Sequence, residues 1–491
     1  METQLQEELP RASLYKTRGS VNKTVQKREI IRYTSDLPTY EVRDGMEAKA
    51  RFRISGECCA DMRNSFFTLR LKTNKWTAHL PSTGVTSIVK KVEISFPYAG
   101  NQILESVDHY NTLASMIMVL NCSPEQRDSN WYAAQIDNPR KARSYLLAEG
   151  GWKTLLFNLN VLGIFSQQEM LPLFILNGID ITITFASPTE AFQYDPANET
   201  ALATDFGGGA DSRMIEFPVG RAEIRGVLGA GGGAAGAAQA AMRDRFNRPF
   251  PPNHADPLIY QIERFEFHMN AVWMSEGYVS AVVKQVQSGQ GFNLFYETYW
   301  STLFDNNGAD HQQFLFSEQY QNLKMILFGC LHAPFQGDAA QRSFDTFYNY
   351  FSRFNFRQGS RVWEEITNEN DNSALSYVRA LLSMDQFSRA KATSLTSGNF
   401  TKSRNVLVFD LQRVIDKGAH SGLDTTLGRT LSLNVDYNRK PGFVIQDGGG
   451  QDVQLEIEHK YVARFGKITG RQRGGLCPRE LVHREQGAHV T

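Results

Sequence analysis

The chain is predicted to be all-β, with two tandem β-sandwich domains in one polypeptide. The first indication is Leu171–Phe185, LPLFILNGIDITITF. After the turn dipeptide Asn177-Gly178, the residues Ile179, Ile181, Ile183 and Phe185 alternate with Asp180, Thr182 and Thr184. Period two with β-branched residues on one face reads as a half-buried antiparallel strand. The second indication is repetition. A strand at Leu155–Leu159 precedes this one, and Leu407–Leu411 likewise precedes Leu431, Leu433, Val435 and Tyr437, with Phe157 to Phe185 spanning the same interval as Phe409 to Tyr437. The copies lie about 250 residues apart, far beyond the roughly 20–50 residues of solenoid or propeller repeats, so a whole domain is duplicated. The third is size and composition. A chain of 491 residues outgrows the roughly 250–300 residues at which single cores stop growing, and its 32 Phe and 18 Tyr favour strands.

In chain order, residues 1–37 are polar and mixed in charge, with Arg11, Lys16, Arg18, Lys23, Lys27 and Arg28 among Ser, Thr and Gln. They read as an N-terminal arm, solvated or ordered against a partner. Strand signals begin at Tyr40 and continue through Ala48–Ile54, Phe66–Leu71 and Ser87–Phe96. Pro97–Asn101 turns the chain and Gln102–Val107 resumes it, followed by a short helix over Tyr110–Leu120 with Leu113, Met116, Ile117 and Leu120 on one face. Residues 193–256 carry Gly207-Gly208-Gly209 and the Gly/Ala run Gly229–Ala238. Such tracts bury little and cost backbone entropy to order, so they form a long insertion loop on the first sandwich. The strand at 260–273 returns to complete that sandwich, which therefore spans 38–282, with the seam at about 283.

The second sandwich spans 283–466. It takes in Phe314-Leu315-Phe316, Leu323–Cys330, a Phe-rich stretch from Phe344 to Phe356, Ser360–Glu365, a helix with Leu375, Val378, Leu381 and Leu382 as its apolar stripe, and the repeated strand pair. Val453, Leu455, Ile457 and Tyr461 alternate in its last strand, and 467–491 form a basic, glycine-broken C-terminal tail.

Formal charge is balanced, 52 basic against 52 acidic residues, which argues against wholesale coating of nucleic acid. Cys58, Cys59, Cys122, Cys330 and Cys477 are too few and too irregular for a disulfide framework, and reduced thiols are expected. No signal peptide opens the sequence and no apolar run reaches the roughly 20 residues of a membrane span. No nucleophile or metalloprotease motif is present. Glu364-Glu365 are strand neighbours on opposite faces and cannot flank one bond. Asp305–Asp310 is rich in oxygen ligands, but Phe316 stands where a calcium loop needs its bidentate Glu. Cys477, His483 and His489 lack a fourth zinc ligand, and Gly229–Gly236 is followed by no Gly-Lys-Ser/Thr of a phosphate loop. No catalytic, cofactor-binding or metal residue is therefore assigned, and no enzymatic activity is expected.

Three stretches carry a family resemblance: Val92–Val107, Met170–Phe185 with its Leu-Pro-Leu, and Leu407–Tyr437 with Ser421-Gly422-Leu423-Asp424-Thr425-Thr426 between its strands. Gln358–Ala380 adds to them, although a proline is often seen where Trp363-Glu364 stand. In order and spacing the chain, over about 40–466, resembles the double jelly-roll major capsid proteins of dsDNA viruses, the group that includes polinton-like viruses, virophages, adenovirus-type particles and large DNA viruses. The resemblance implies two tandem eight-stranded jelly rolls with short helices and long loop insertions. It implies homotrimeric, pseudo-hexameric capsomers tiling an icosahedral shell around a dsDNA genome, made and assembled inside the host cell. Neighbouring capsomers, penton and minor capsid proteins, and weak genome contact through the basic tail would be the partners; the 193–256 insertion would belong to an exposed tower or to inter-subunit contacts. The alternatives are a minor capsid or spike-base protein, which more often carries a single jelly roll, and a carbohydrate-binding β-sandwich protein. The latter accounts for the aromatics but not for the duplication.

Overall fold

The computed structural model describes residues 25–74, 83–97, 102–121, 152–192, 257–290, 294–305, 311–316, 323–331, 351–367, 374–383, 397–400, 405–411, 422–425, 430–437, 444–446, 452–454 and 461–472, with short gaps. The first half contributes strands β1 (Val25–Thr34), β2 (Thr39–Val42), β3 (Lys49–Ile54), β4 (Cys59–Thr73), β5 (Val89–Phe96), β6 (Gln102–Val107), β7 (Lys153–Phe157), β8 (Leu171–Pro172), β9 (Ile179–Phe185) and β10 (Tyr260–Met274). One sheet runs β1-β10-β4-β7, with β2 also on β10 and β8 on β4; the other runs β3-β9-β5-β6. Every pairing is antiparallel.

β1 and β2 pair with successive stretches of β10, so together they are one long strand interrupted at Ser35–Pro38. Lettering the eight principal strands a to h in chain order, the sheets read a-h-c-f and b-g-d-e. The second half repeats this order. Its strands are β11 (Leu294–Asp305), β12 (His311–Phe316), β13 (Leu323–Leu331), β14 (Phe351–Gln358), β15 (Arg361–Thr367), β16 (Leu407–Asp410), β17 (Leu431–Tyr437) and β20 (Tyr461–Gln472), with the small hairpin of β18 (Val444–Gln446) and β19 (Asp452–Gln454) before the last. They form β11-β20-β13-β16 and β12-β17-β14-β15. First strand beside last, with Greek-key connections across two facing sheets, is a jelly roll. The chain contains two, and the sequence-matched strands β7 and β16, and β9 and β17, occupy the same places in each.

Aromatic side chains fill the space between the sheets in both halves. Phe52 on β3 packs edge-on against Phe265 on β10 at 4.9 Å and against Phe67 on β4 at 5.4 Å. In the second sandwich Phe354 on β14 meets Phe409 on β16 at 5.4 Å, and Phe314 on β12 meets Phe328 on β13 at 5.8 Å. The first three pairs are edge-to-face and the last is tilted, and aromatic pairs at these separations add to the area they bury.

Several elements differ from the sequence reading. Val25–Thr34, read as part of the polar arm, is the outermost strand of the first sheet; Ile31 and Tyr33 pack on the core while Arg28, Ile30 and Arg32 face outward. β9 is buried on both faces rather than one: Asp180 and Thr184 are enclosed as fully as Ile181, and Asp180 is paired with Arg51 of β3. The helix over Ala374–Ser383 buries Ser376, Ala380 and Leu381, leaving Leu375 and Leu382 exposed, so its inner face is rotated from the expected stripe. The closing strand is β20, reaching past Gly466 into the expected tail, whereas Val453 lies in the β18–β19 hairpin. The seam at about 283 falls within a helix at Glu276–Gln285. The 193–256 insertion, residues 1–24 and residues 473–491 lie outside the described residues.

The turn into β9 depends on one glycine. Asn177 has φ 55° and Gly178 φ 101°, left-handed values that Asn tolerates and that β-carbon-bearing residues otherwise resist. A β-carbon on Gly178 would stand 2.6 Å from the Ile54 carbonyl oxygen, within the pairing of β3 with β9. Gly178→Ala is expected to destabilise the protein by about 1–3 kcal/mol, read as a lower denaturant midpoint.

Candidate functional site: the seam between the two sandwiches

The outer strand of the b-g-d-e sheet in the first sandwich is β6, and β11 of the second sandwich runs along it. Tyr296 donates its hydroxyl to the Leu104 carbonyl, and Ser301 donates to the Asp108 carbonyl at 2.5 Å. Between them Thr298 Oγ1 donates to Glu105 Oε1 at 2.7 Å. The halves are thus joined by side-chain hydroxyls reaching across to a strand edge, beside one buried hydrophobic cluster that includes Tyr296 and Tyr299 and runs through both halves.

Glu105 is the centre of this joint and is 2% exposed. It stands opposite Ile94 in the β5–β6 pairing. Its oxygens also accept the backbone N–H groups of Gly163 (2.7 Å) and Ile164 (3.1 Å). These open the single helical turn Gly163–Ser166, whose first N–H groups have no partner within the turn. Burial pushes the Glu105 carboxyl above its ordinary value, against the opposing pull of Thr298, Gly163 and Ile164. The phenols of Tyr110 and Tyr296 are also raised, first by burial and then by the Glu105 charge. Neither titrates near neutrality, so both pack as neutral phenols, and Tyr296 donates a hydrogen bond.

The other sequence candidates do not converge here. Glu364 and Glu365 occupy successive positions on β15, opposite Phe356 and Asn355. Residues 306–310 of the oxygen-rich loop, the Gly229–Gly236 run, Cys122, and Cys477, His483 and His489 fall outside the described residues. Among the described residues no group of three or more His, Cys, Asp or Glu could hold a metal ion. Cys58, Cys59 and Cys330 are buried free thiols. Burial raises Cys58 and lifts Cys59 to about 11, so neither presents a thiolate at neutral pH. The seam residues Glu105, Tyr296 and Thr298 were not singled out from sequence. The one local signal is an acidic residue inside the otherwise apolar ILESV of β6.

No protein-family model matches this sequence, and no curated protein does. Solved structures do match by shape. A chain of a quasi-atomic model of the PBCV-1 virus capsid aligns with a TM-score of 0.54 at 10% identity, covering 91% of this chain and 94% of that one. The crystal structure of PBCV-1 VP54, fitted into a reconstruction of the virophage Sputnik, aligns at 0.53 and 9% identity, covering 92% and 96%. Both halves and their succession correspond, so this chain has the fold of those structures along nearly its whole length.

Two measurements test the site. Tyr296→Phe and Ser301→Ala each leave a seam carbonyl without its donor, and each is expected to cost about 1 kcal/mol, nearly additively, with faster hydrogen exchange in peptides covering 294–305. Alkylation with iodoacetamide at pH 8, mapped by mass spectrometry, is expected to leave Cys58 and Cys59 unmodified in the folded protein and to label both in denaturant.

Proposed function

We propose that this chain is a viral major capsid protein, a structural building block of a dsDNA virus shell. The observation that carries the reading is the duplicated a-h-c-f/b-g-d-e order, together with an end-to-end match in shape to a chain of a virus capsid. A jelly roll leaves few exposed strand edges and makes a stiff wall. Two of them side by side, divided at about residue 283, give each chain two like blocks. Three chains would then present six blocks, a near-hexagonal outline able to tile an icosahedral surface against neighbouring capsomers, with penton and minor capsid proteins closing the shell. In this reading the protein resides in the virion. The 193–256 insertion, placed between β9 and β10 at one end of the first sandwich, belongs to its exposed loops or inter-subunit contacts, and the basic residues near the C-terminus touch the genome. A minor capsid role fits less well because the chain carries two jelly rolls rather than one. A glycan-binding role leaves the duplication without purpose.

Light scattering with negative-stain microscopy on the purified chain tests the reading. A particle of about three times 55.4 kDa with a hexagonal outline is expected. A monodisperse monomer with no tendency to form larger particles would overturn it.

A further inference from the structure

We propose that the seam inside the chain recurs between chains: β15 of one copy lies along β1 of the next. The inference rests on the capsomer reading above and names the surface by which a second copy is recognised. Within the chain, the e strand of the first sandwich, β6, meets the a strand of the second, β11. That leaves over the a strand of the first sandwich, β1, and the e strand of the second, β15. Among the described residues each ends its sheet, β1 pairing only with β10 and β15 only with β14. A head-to-tail contact between two such different surfaces passes from copy to copy until it closes into a ring.

The duplication holds down to single positions. In the β5–β6 pairing Ile94 faces Glu105, and one extra residue, Leu104, then separates it from Ile103 opposite Ser95. The β14–β15 pairing repeats this bulge: Phe356 faces Glu364, and Trp363 is the extra residue before Val362 opposite Arg357. Ile94 and Phe356 correspond because they face Ile181 and Leu433, which the sequence repeat matches. Glu364 therefore occupies the position of Glu105. The a strands are matched in the same way. The repeated Phe157 and Phe409 lead through Phe67 and Ile326 to Phe267 and Gly466, and these face Tyr33 and Trp300. Thr34, which is exposed, is thus the counterpart of Ser301. Ser301 donates to the Asp108 carbonyl, and Thr34 is placed to donate likewise to the Thr367 carbonyl of a second copy. Charge favours the same match. β1 carries Lys27, Arg28 and Arg32 against Glu29, whereas β15 carries Glu364 and Glu365 against Arg361. Opposite net charge on facing strands steers association and disfavours pairing of like with like. Ile30, 62% exposed between the outward Arg28 and Arg32, gives the contact an apolar anchor.

Photocrosslinking on the full chain tests this, with benzoylphenylalanine placed at position 30 and, separately, at position 34. Co-assembly of isotope-labelled and unlabelled chains separates adducts between copies from adducts within one. Adducts between copies are expected in peptides covering 361–367, with covalent species ending at three chains. A particle that is trimeric by light scattering but gives adducts elsewhere, or none, would overturn the seam and leave the capsomer reading standing. A monomeric wild-type chain overturns both. A second measurement covers the case in which the photoreactive side chain itself blocks assembly. Ile30→Asp is expected to raise the concentration at which the trimer dissociates by about tenfold or more. Leu156→Asp, on β7 at the opposite end of the same sheet, is expected to change it little. Equal effects of the two substitutions, or none from I30D, reject the proposal.

Discussion

Each sandwich closes only when its last strand pairs between its first and third. β10 lies between β1 and β4, and β20 between β11 and β13. Until that strand arrives, the a-h-c-f sheet lacks its middle, and the apolar residues of the facing sheet have nothing to pack on. This single pairing fixes much else. It brings residues more than two hundred positions apart into register, as with Thr34 and Glu266. It leaves the connection before it, from β9 to β10 in the first sandwich, free to lengthen without disturbing either sheet. Loop closure cost grows only slowly with length, so an insertion on the scale of 193–256 is thermodynamically tolerable there.

The second determinant is the directional hydrogen bonding at the seam. Three hydroxyls and one buried carboxylate fix the placement of β6 against β11 beside a buried apolar cluster shared by both halves. A misplaced hydroxyl leaves a buried acceptor unsatisfied, which disfavours sliding more sharply than apolar contact does.

Much of this was legible in the sequence wherever one face of a strand is apolar. Ile179, Ile181, Ile183 and Phe185 declared β9, and their counterparts Leu431, Leu433 and Val435 declared β17. β1 was hidden because an outer strand with one face in solvent accommodates Arg28 and Arg32 there, charges that also discourage stray pairing. β20 was hidden for the opposite reason: it is hydrogen-bonded on both edges, so backbone pairing holds it despite Gly466 and Gly470. The helix Glu276–Gln285 was hidden because its valines are β-branched, which lowers helix propensity. The seam was illegible, since Glu105 and Thr298 meet only in three dimensions and neither belongs to a local period.

The late position of the closing strands has a consequence during translation. β10 is complete by Met274, while β20 ends at Gln472. At about 5–20 residues per second, the ribosome needs on the order of 10–40 s to make the stretch between them. The first sandwich can therefore be finished while the second is still a set of unpaired apolar strands, and β11 emerges beside a completed β6 edge onto which its hydroxyls can dock. The first half can thus serve as a template for the second as it emerges.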